Sequence, residues 1–333
     1  MARPIPTIAT LAALLCCLVM TGSAAADKSD RLLRKALRYF EPLPAAMPGA
    51  ANDTPERIEL GRKLFFDKRL SSNDTQACVS CHRLGDGAAG VDNLPTSPGA
   101  QGQIGTRNSP TVLNAGWQKN QFWDGRARDL ADQAGQPILN PIEMGMPSEQ
   151  AVIDKLSTIP EYPAAFANAF PGSEPSLSYA NLREAIAAFE RTLRSESRFD
   201  DYLRGDTAAL IEPEQRGLQR FMSVNCVRCH DGPLLGGTLL EKLGKEAPYH
   251  NLEDKGRFEE TGKDEDWMVF KVSQLRNIAV TGPWFHDGSG QDLAEVVRIM
   301  GRIQLATELK DDDVQDIVAF LGALTGKELQ STQ

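Results

Sequence analysis

The sequence is poor in several features, and each scarcity excludes a class of protein. Lysine and arginine number 36 against 45 aspartates and glutamates, which gives a formal net charge of −9. This balance argues against binding to nucleic acid or to an anionic membrane. It suits a cationic or neutral partner, or simply provides solubility. Beyond the first 26 residues no apolar run is long enough to span a bilayer, and no run of alternating apolar and polar residues indicates a sheet protein.

The first 26 residues have the features of a secretory signal peptide. Arg3 supplies a positive start, residues 8–20 are apolar, and residues 24–26 are three alanines that suit cleavage before Asp27. The apolar run is too short to cross a membrane. We therefore expect residues 1–26 to be removed and the rest to be a soluble periplasmic protein.

Two short motifs contain all the cysteines that remain after residue 26. They are Cys78-Val79-Ser80-Cys81-His82 and Cys226-Val227-Arg228-Cys229-His230. Both follow the C-x-x-C-H pattern of c-type haem attachment. In that pattern two thiols add to the vinyl groups of one haem and the histidine binds its iron. We expect two covalent haems, with no cysteine left for a disulfide.

Two other interpretations of these motifs fit less well. A zinc site needs four ligands gathered in one place, and the two motifs lie far apart in the chain. A thioredoxin-like C-x-x-C does not need the adjacent histidine, and it would have to occur twice here.

An internal repeat predicts an all-α fold of two cytochrome-c-like domains. A helix that starts with proline and glutamate precedes each haem motif, at residues 55–66 and 213–221. Both of these helices contain a glycine where another helix could cross closely. A second helix follows each haem motif, at residues 182–193 and 314–324. The repeat places one haem domain in residues 27–200 and the other in residues 201–333, joined by irregular loops.

The two later helices show matching apolar faces, with one residue of each face every three or four positions. The matched sets are Ile186, Phe189 and Leu193 in the first half, and Ile317, Phe320 and Leu324 in the second. Acidic residues 311–313 suit the start of the last helix, and Gly326 is predicted to end it. Residues 84–110 and 231–285 are rich in loop-forming residues and should be irregular.

Six further motifs lie in order around the two haem motifs. They are Leu64-Phe65-Phe66-Asp67, Arg107-Asn108-Ser109-Pro110-Thr111, Phe122-Trp123-Asp124-Gly125-Arg126, Asn140-Pro141-Ile142-Glu143-Met144, Leu275-Arg276-Asn277 and Phe285-His286-Asp287-Gly288. With these motifs the chain resembles the bacterial dihaem cytochrome c peroxidases along its whole mature length. The resemblance implies a peroxidatic haem in the first domain and an electron-transfer haem in the second.

At the second haem the resemblance implies that Met300 binds the iron opposite His230. Taken alone, a methionine at this place would more often be a core residue. A related enzyme that matures a tryptophan-derived cofactor uses tyrosine as this ligand, and no tyrosine follows Tyr249 here.

At the first haem the resemblance implies a catalytic pocket opposite His82. Glu143 resembles the family's acid–base group for peroxide cleavage, and Gln133 resembles its companion. Taken alone, Glu143 would be a surface charge. Trp123 resembles the aromatic residue between the two haems, and it could equally be a core tryptophan. The resemblance also implies a calcium ion, held by the Asn108 side chain and the backbone carbonyls of Thr281 and Pro283.

One position departs from the family. Relatives usually carry a second histidine on the first haem, and the matching residue here is Ala100. Residues 84–106 contain no histidine at all. We expect either an open peroxide site under a mobile, unanchored loop, or a site closed by Gln101, Gln103 or another group.

These features predict a periplasmic enzyme that reduces hydrogen peroxide with electrons from a small cytochrome c or a cupredoxin. Two alternatives remain open. One is a dihaem electron carrier without catalysis, and the other is the cofactor-maturation enzyme of the same family. The family is commonly dimeric, so a homodimer is possible.

Overall fold

The computed structural model describes residues 29–330. The signal peptide predicted for residues 1–26 lies outside the described residues. The α-helices are α1 (residues 29–36), α2 (Pro55–Phe66), α3 (Cys78–Cys81), α4 (Leu130–Ala134), α5 (Gln136–Leu139), α6 (Glu149–Ser157), α7 (Glu161–Ala169), α8 (Tyr179–Glu190), α9 (Arg198–Leu203), α10 (Glu212–Ser223), α11 (Phe258–Thr261), α12 (Leu293–Leu305), α13 (Asp311–Gly322) and α14 (Lys327–Gln330). The predicted mainly helical class is confirmed, and no helix among residues 29–330 is long and apolar enough to cross a membrane.

The helix before the first haem motif begins where the sequence predicts. Thr54 caps α2 by accepting a hydrogen bond of 3.3 Å from the backbone N–H of Arg57. Pro55 occupies the first turn, where its missing N–H costs nothing. Glu56 adds a negative charge that suits the N-terminal end of the helix dipole.

The end of α13 was predicted incorrectly. The helix stops at Gly322, and Ala323 follows it in a right-handed conformation. Gly326 instead precedes α14, and its backbone N–H donates to Oδ1 of Asn277 at 2.8 Å. This tertiary hydrogen bond sets the position of Gly326, which is why a local helix-ending pattern misled the prediction.

Two hydrophobic cores hold the helices together. The first contains residues of α2, α6, α7 and α8, and the second contains residues of α9, α10 and α13. The second core also contains Ala36, Phe40 and Phe199, which the sequence analysis assigned to the first domain. Segments from both sides of residue 200 therefore build the second core, and the exact boundary stays a prediction.

Each core is built on one close helix crossing. A Cβ added to Gly61 of α2 would lie 1.8 Å from the carbonyl oxygen of Ala185 in α8, and one added to Gly217 of α10 would lie 1.8 Å from that of Asp316 in α13. Only glycine lets the backbones approach so closely. The crossings suggested by the two sequence glycines are confirmed.

The irregular second half contains one small element that the sequence did not reveal. Strands β1 (Leu240–Lys242) and β2 (Val269–Lys271) pair antiparallel, with Leu240 opposite Lys271. The strands are only three residues long, too short to show an alternating pattern. The backbone N–H of Lys271 donates to the carbonyl of Trp123 at 2.6 Å, so this ribbon contacts the first half of the chain.

Candidate functional site

Each haem motif lines its own cavity. The first cavity, of about 420 Å³, is lined by Cys78, Cys81 and His82. The second, of about 280 Å³ and largely apolar, is lined by the second motif and by Met300. Residues 108–111, Phe122 and Trp123 line both cavities, so the two lie on either side of a shared wall.

The four motif cysteines are free, partly buried thiols. Burial raises the pKa of each of them, that of Cys226 to about 12. A redox-active C-x-x-C needs a thiol whose pKa is lowered so that a thiolate can attack. The environment therefore argues against a thioredoxin-like role and suits covalent attachment of a hydrophobic group.

The two motif histidines are partly buried, and desolvation lowers the pKa of His82 and of His230, which favours the neutral rings. Nδ1 of His230 lies 3.0 Å from the carbonyl of Leu235, which leaves Nε2 as the ligand atom. Nδ1 of His82 is buried and forms no hydrogen bond of good geometry. Backbone groups of Gly90 and Pro110 beside this ring raise its pKa, but by less than burial lowers it. Both rings suit an iron ligand, and the residues fit a haem in each cavity.

Met300 lies inside α12 rather than in a loop. It packs beside an apolar cluster of Tyr249, Met268, Phe270 and Ile303, and it lines the second cavity together with His230. The structure thus brings the predicted ligand pair to one cavity.

Glu143 and Gln133 both line the first cavity, from the turn after α5 and from α4. Burial raises the pKa of Glu143, while Arg126 and a hydrogen bond of 2.8 Å from Nδ2 of Asn140 oppose the rise. A carboxyl held in this way can exchange a proton at a pH nearer neutrality than an exposed one.

The loop at Ala100 is anchored, contrary to the sequence-based expectation of a mobile loop. The backbone N–H of Ala100 donates to the carbonyl of Glu143 at 2.6 Å, and Asn73 donates to the carbonyl of Ala100 at 2.5 Å. A Cβ added to Gly99 would lie 1.6 Å from the carbonyl oxygen of Ile142. Backbone contacts, which need no histidine, therefore hold this loop against the turn that carries Glu143.

The two glutamines proposed as substitutes for the missing histidine do not line the first cavity. Gln101 and Gln103 are exposed, and Nε2 of Gln101 donates to Oγ of Ser72 at 2.9 Å.

Trp123 is held in the shared wall by its surroundings. Its Nε1 donates to the carbonyl of Asn108 at 2.8 Å, and the N–H of Asn108 donates to the carbonyl of His286 at 2.7 Å. The ring of His286 lies edge-on to Trp123 at 6.4 Å and stacks on Phe270 at 4.2 Å.

A charged cluster beside this wall was missed by the sequence analysis. Arg107 donates from Nε and Nη2 to the two carboxylate oxygens of Asp254, at 2.6 and 2.7 Å, and pairs through Nη1 with Asp124. Asp254 lies 4.0 Å from Nε2 of His286. Three members of the cluster stand in separate sequence motifs, but nothing local brings them together, because Arg107 and Asp254 lie 147 positions apart in the chain.

The three residues suggested for calcium lie along the second cavity. Nδ2 of Asn108 donates to the carbonyls of Leu94 and Pro95 at 2.9 and 3.2 Å, which leaves Oδ1 as the atom that could bind a cation. Among residues 29–330 no group of three histidine, cysteine or acidic side chains could hold a metal ion. Any calcium at this place would depend on Oδ1 and backbone carbonyls.

Two buried ionisable residues were also missed. Lys271 donates from Nζ to the carbonyl of Asn120 at 3.0 Å and to Gln118, and burial lowers its pKa to about 7. Glu190 lines the first cavity, and burial raises its pKa to about 8. An alignment of α8 with α13 could have drawn attention to Glu190, because its counterpart in α13 is Leu321.

Comparison with known proteins gives consistent matches. A family model described as di-haem cytochrome c peroxidase matches residues 55–208. The cytochrome c551 peroxidase of Pseudomonas aeruginosa is 42% identical over 318 residues, which cover 93% of this chain and 91% of the relative. The cytochrome c551 peroxidase of Nitrosomonas europaea is 43% identical over 292 residues, which cover 87% of this chain and 84% of the relative.

A solved structure shares the fold. The crystal structure of a MauG-like protein associated with microbial copper homeostasis superimposes with a TM-score of 0.76 at 30% identity, and the match covers 86% of this chain and 94% of that one.

Proposed function

This chain belongs to the di-haem cytochrome c peroxidase family and is an enzyme of that class, and on this premise we propose which of its parts perform the reaction. The family implies two haems, hydrogen peroxide as substrate and a cytochrome as electron donor. The proposal assigns peroxide cleavage to the first cavity and electron entry to the second. It is supported chiefly by the contrast between them: the first is lined by buried carboxyls, and the second is apolar and contains Met300.

In the first cavity Glu143 is the acid–base group. A haem bound by His82 would supply the iron that transfers electrons to peroxide. Glu143 would accept the proton from one peroxide oxygen and return it to the other, departing oxygen. One peroxide, two electrons and two further protons yield two waters. Gln133 orients the peroxide from α4, and the raised pKa of Glu143 favours this exchange.

In the second cavity His230 and Met300 would hold the iron of an electron-transfer haem. A methionine ligand raises the potential relative to histidine or thiolate, which suits uptake from a small cytochrome c or a cupredoxin. Trp123 lies in the wall that such electrons would have to cross to reach the first cavity. Hydrogen bonds at 2.8 and 2.6 Å fix the indole and the backbone carbonyl of this residue, which supports the assignment.

Four further features belong to the proposal. Both haems are covalently attached through the C-x-x-C-H motifs, the signal peptide directs the chain to the periplasm, calcium binds at Asn108, Thr281 and Pro283, and the active form is a homodimer. The division into a peroxidatic domain over residues 27–200 and an electron-transfer domain over residues 201–333 is also proposed, with α1 packed on the second core.

The alternative functions are disfavoured by specific observations. A pure electron carrier has no use for a buried carboxyl such as Glu143 beside its haem. The cofactor-maturation enzyme uses a tyrosine ligand, and Met300 lines the cavity where that ligand would lie.

Two measurements test the proposal. Mass spectrometry of the exported protein should show two haem additions and the loss of residues 1–26, and a single addition would refute the assignment of two sites. Steady-state turnover of peroxide with a reduced cytochrome c as donor should be sustained. If the protein exchanges electrons with the donor but consumes no peroxide, the carrier function replaces the enzyme.

A further inference from the structure

Helices α8 and α13 occupy equivalent places in the two halves but differ at one residue that lines the haem cavities. Gly61 crosses α8 at Ala185, and Gly217 crosses α13 at Asp316. The next residues, Ile186 and Ile317, line the first and the second cavity respectively. The two helices are therefore in register with each other.

Aromatic packing extends this register to the following turn. Phe65 of α2 lies 5.2 Å from Phe189, and Phe221 of α10 lies 5.5 Å from Phe320. The residue after Phe189 is Glu190, and the residue after Phe320 is Leu321.

Glu190 and Leu321 each line the cavity of their own half. A carboxyl thus stands in the peroxidatic half at the place that the other half fills with an apolar side chain. The surrounding helices match, and the second half has a leucine at this position. Helix packing alone therefore does not require a carboxyl at residue 190.

The carboxyl of Glu190 is buried without adequate compensation. Its side chain is 5% exposed, and Oε2 forms no hydrogen bond. Burying a polar group in this way costs free energy of about 1–3 kcal/mol. The thiol of Cys78 is among the groups influenced by its charge, so the carboxyl lies on the haem-attachment side of the cavity.

The other carboxylates of the two cavities are accounted for. In the first, Asp124 is paired with Arg107 and Arg126. Glu259 and Glu260 are 47% and 43% exposed. The acidic residue that lines the second cavity is Glu241, which is paired with Lys245 at 3.3 Å.

We propose that Glu190 is a second proton-carrying carboxyl of the first cavity, which takes up a proton when the iron there is reduced. This inference rests on the proposed function in that it requires a haem bound by His82. The donor supplies one electron to the iron, solvent supplies one proton, and the O–H bond at Glu190 is the only bond formed. In this way Glu190 holds, inside the protein, one of the protons that peroxide reduction consumes.

The charges around α8 permit this behaviour. Burial raises the pKa of Glu190 to about 8, and Arg191 opposes the rise. Loss of positive charge from the iron on reduction raises the pKa further, because a nearby positive charge favours the carboxylate. The elements that pack against α8 carry charged groups on α2 (Glu56, Arg57, Glu59, Arg62, Lys63), on α4 (Asp132) and on α6 (Glu149, Asp154, Lys155). Ion pairs engage Glu59 with Arg62 and Lys63, Asp132 with Arg183, and Lys155 with Asp74, and next to Glu190 on the chain Arg191 pairs with Asp53.

The test is a potentiometric titration of the first haem as a function of pH in the holoprotein. With Glu190 present, the midpoint potential should fall by about 59 mV per pH unit where the carboxyl titrates, since one proton accompanies one electron. Glu190→Gln and Glu190→Leu should remove this slope. The second haem of the same molecule is an internal reference and should show no change between variants.

Glu184→Gln is the matched control, because Glu184 lies on the same helix with 55% of its side chain exposed. It should keep the wild-type slope. Glu190→Leu introduces the residue that stands at the equivalent position of the second half, Leu321. A folded variant is therefore expected even if Glu190→Gln folds poorly. Loss of a protonated-carboxyl infrared band on Glu190→Gln provides a second measure.

An unchanged pH slope in both Glu190 variants, or a wild-type potential without any slope, would overturn the inference. Neither readout depends on peroxide turnover. A protein that failed as a peroxidase could still show the slope, and an active peroxidase could lack it, so the two proposals fail separately.

Discussion

The indole Nε1 of Trp123 donates a 2.8 Å hydrogen bond to the carbonyl of Asn108, whose own N–H donates to His286. Asn108 belongs to the first half of the chain and His286 to the second. This chain of hydrogen bonds joins the two halves at the wall between the cavities. A change in the relative position of the halves must therefore move Trp123 or break one of these bonds.

Replacement of Glu143 by glutamine should reduce peroxide turnover by about 10²–10⁴-fold, because general acid–base catalysis typically contributes that much. The amide keeps the size of the side chain but cannot carry the proton. Both haems should remain bound, as judged by the visible spectrum. Near-full turnover would show that another group performs the transfer.

Replacement of Met300 by leucine should remove the sulfur-to-iron absorption band of the oxidised protein and lower the potential of the second haem. Leucine has a similar volume, so α12 should keep its packing. The matched control is Met268→Leu, since Met268 is 2% exposed in the neighbouring apolar cluster but does not line the cavity. An intact band in Met300→Leu would identify a different ligand.

The oxidised protein should have a high-spin first haem and react with peroxide without prior reduction, because Ala100 offers no ligand. Electron paramagnetic resonance measures the spin state directly. Ala100→His should restore a low-spin, six-coordinate state and dependence on reduction. Two low-spin signals in the unmodified protein would contradict an open site.

Replacement of Asp200 by asparagine should lower the free energy of unfolding by about 3–5 kcal/mol, because it leaves the guanidinium of Arg276 buried without a counter-charge. Both side chains of this pair are 0% exposed, and they meet at 2.6 Å. Asp316→Asn is the control. Its pair with Arg216 is partly exposed, and its loss should cost at most about 1 kcal/mol.

The same pair predicts a pH dependence. Burial alone would raise the pKa of Asp200, but Arg276 and two backbone N–H groups lower it below its usual value. Stabilisation by a carboxylate with a lowered pKa is present above the unfolded pKa and is lost as pH falls through the folded one. Denaturant titrations should therefore show acid destabilisation that is weaker in Asp200→Asn. Equal acid sensitivity of the two proteins would contradict this role.

Replacement of Gly61 by alanine should destabilise the first core by about 1–3 kcal/mol or more, because the new Cβ must push apart two helix backbones. The obstacle is a carbonyl oxygen at 1.8 Å, which cannot rotate away. Gly172→Ala is the control, since nothing lies within 4 Å of its added Cβ. Chemical denaturation of both variants would reveal the difference, and equal stabilities would mean that the helices separate at little cost.

Features that depend on neighbouring residues were predictable from the sequence. Haem attachment at the motifs of Cys78 and Cys226 stays a prediction, and it rests on two thiols and a histidine within five positions. Helix α2 begins at its proline, and the buried face of α13 follows the predicted helical spacing of apolar residues, because both depend on local backbone geometry. The crossing glycines were also visible as Gly61 and Gly217, since a close crossing excludes larger residues.

Features that depend on distant residues required the tertiary structure. Gly326 does not end α13, because Asn277 from a remote segment binds its N–H. The loop at Ala100 is tied to Glu143 by backbone groups, which are the same in every sequence and give no pattern. The sequence by itself predicts which residues hold haem, and it determined where the main helices form. Only the folded chain decided that Glu190 is buried in the first cavity, since the pKa of a carboxyl depends on its surroundings rather than on its neighbours in sequence.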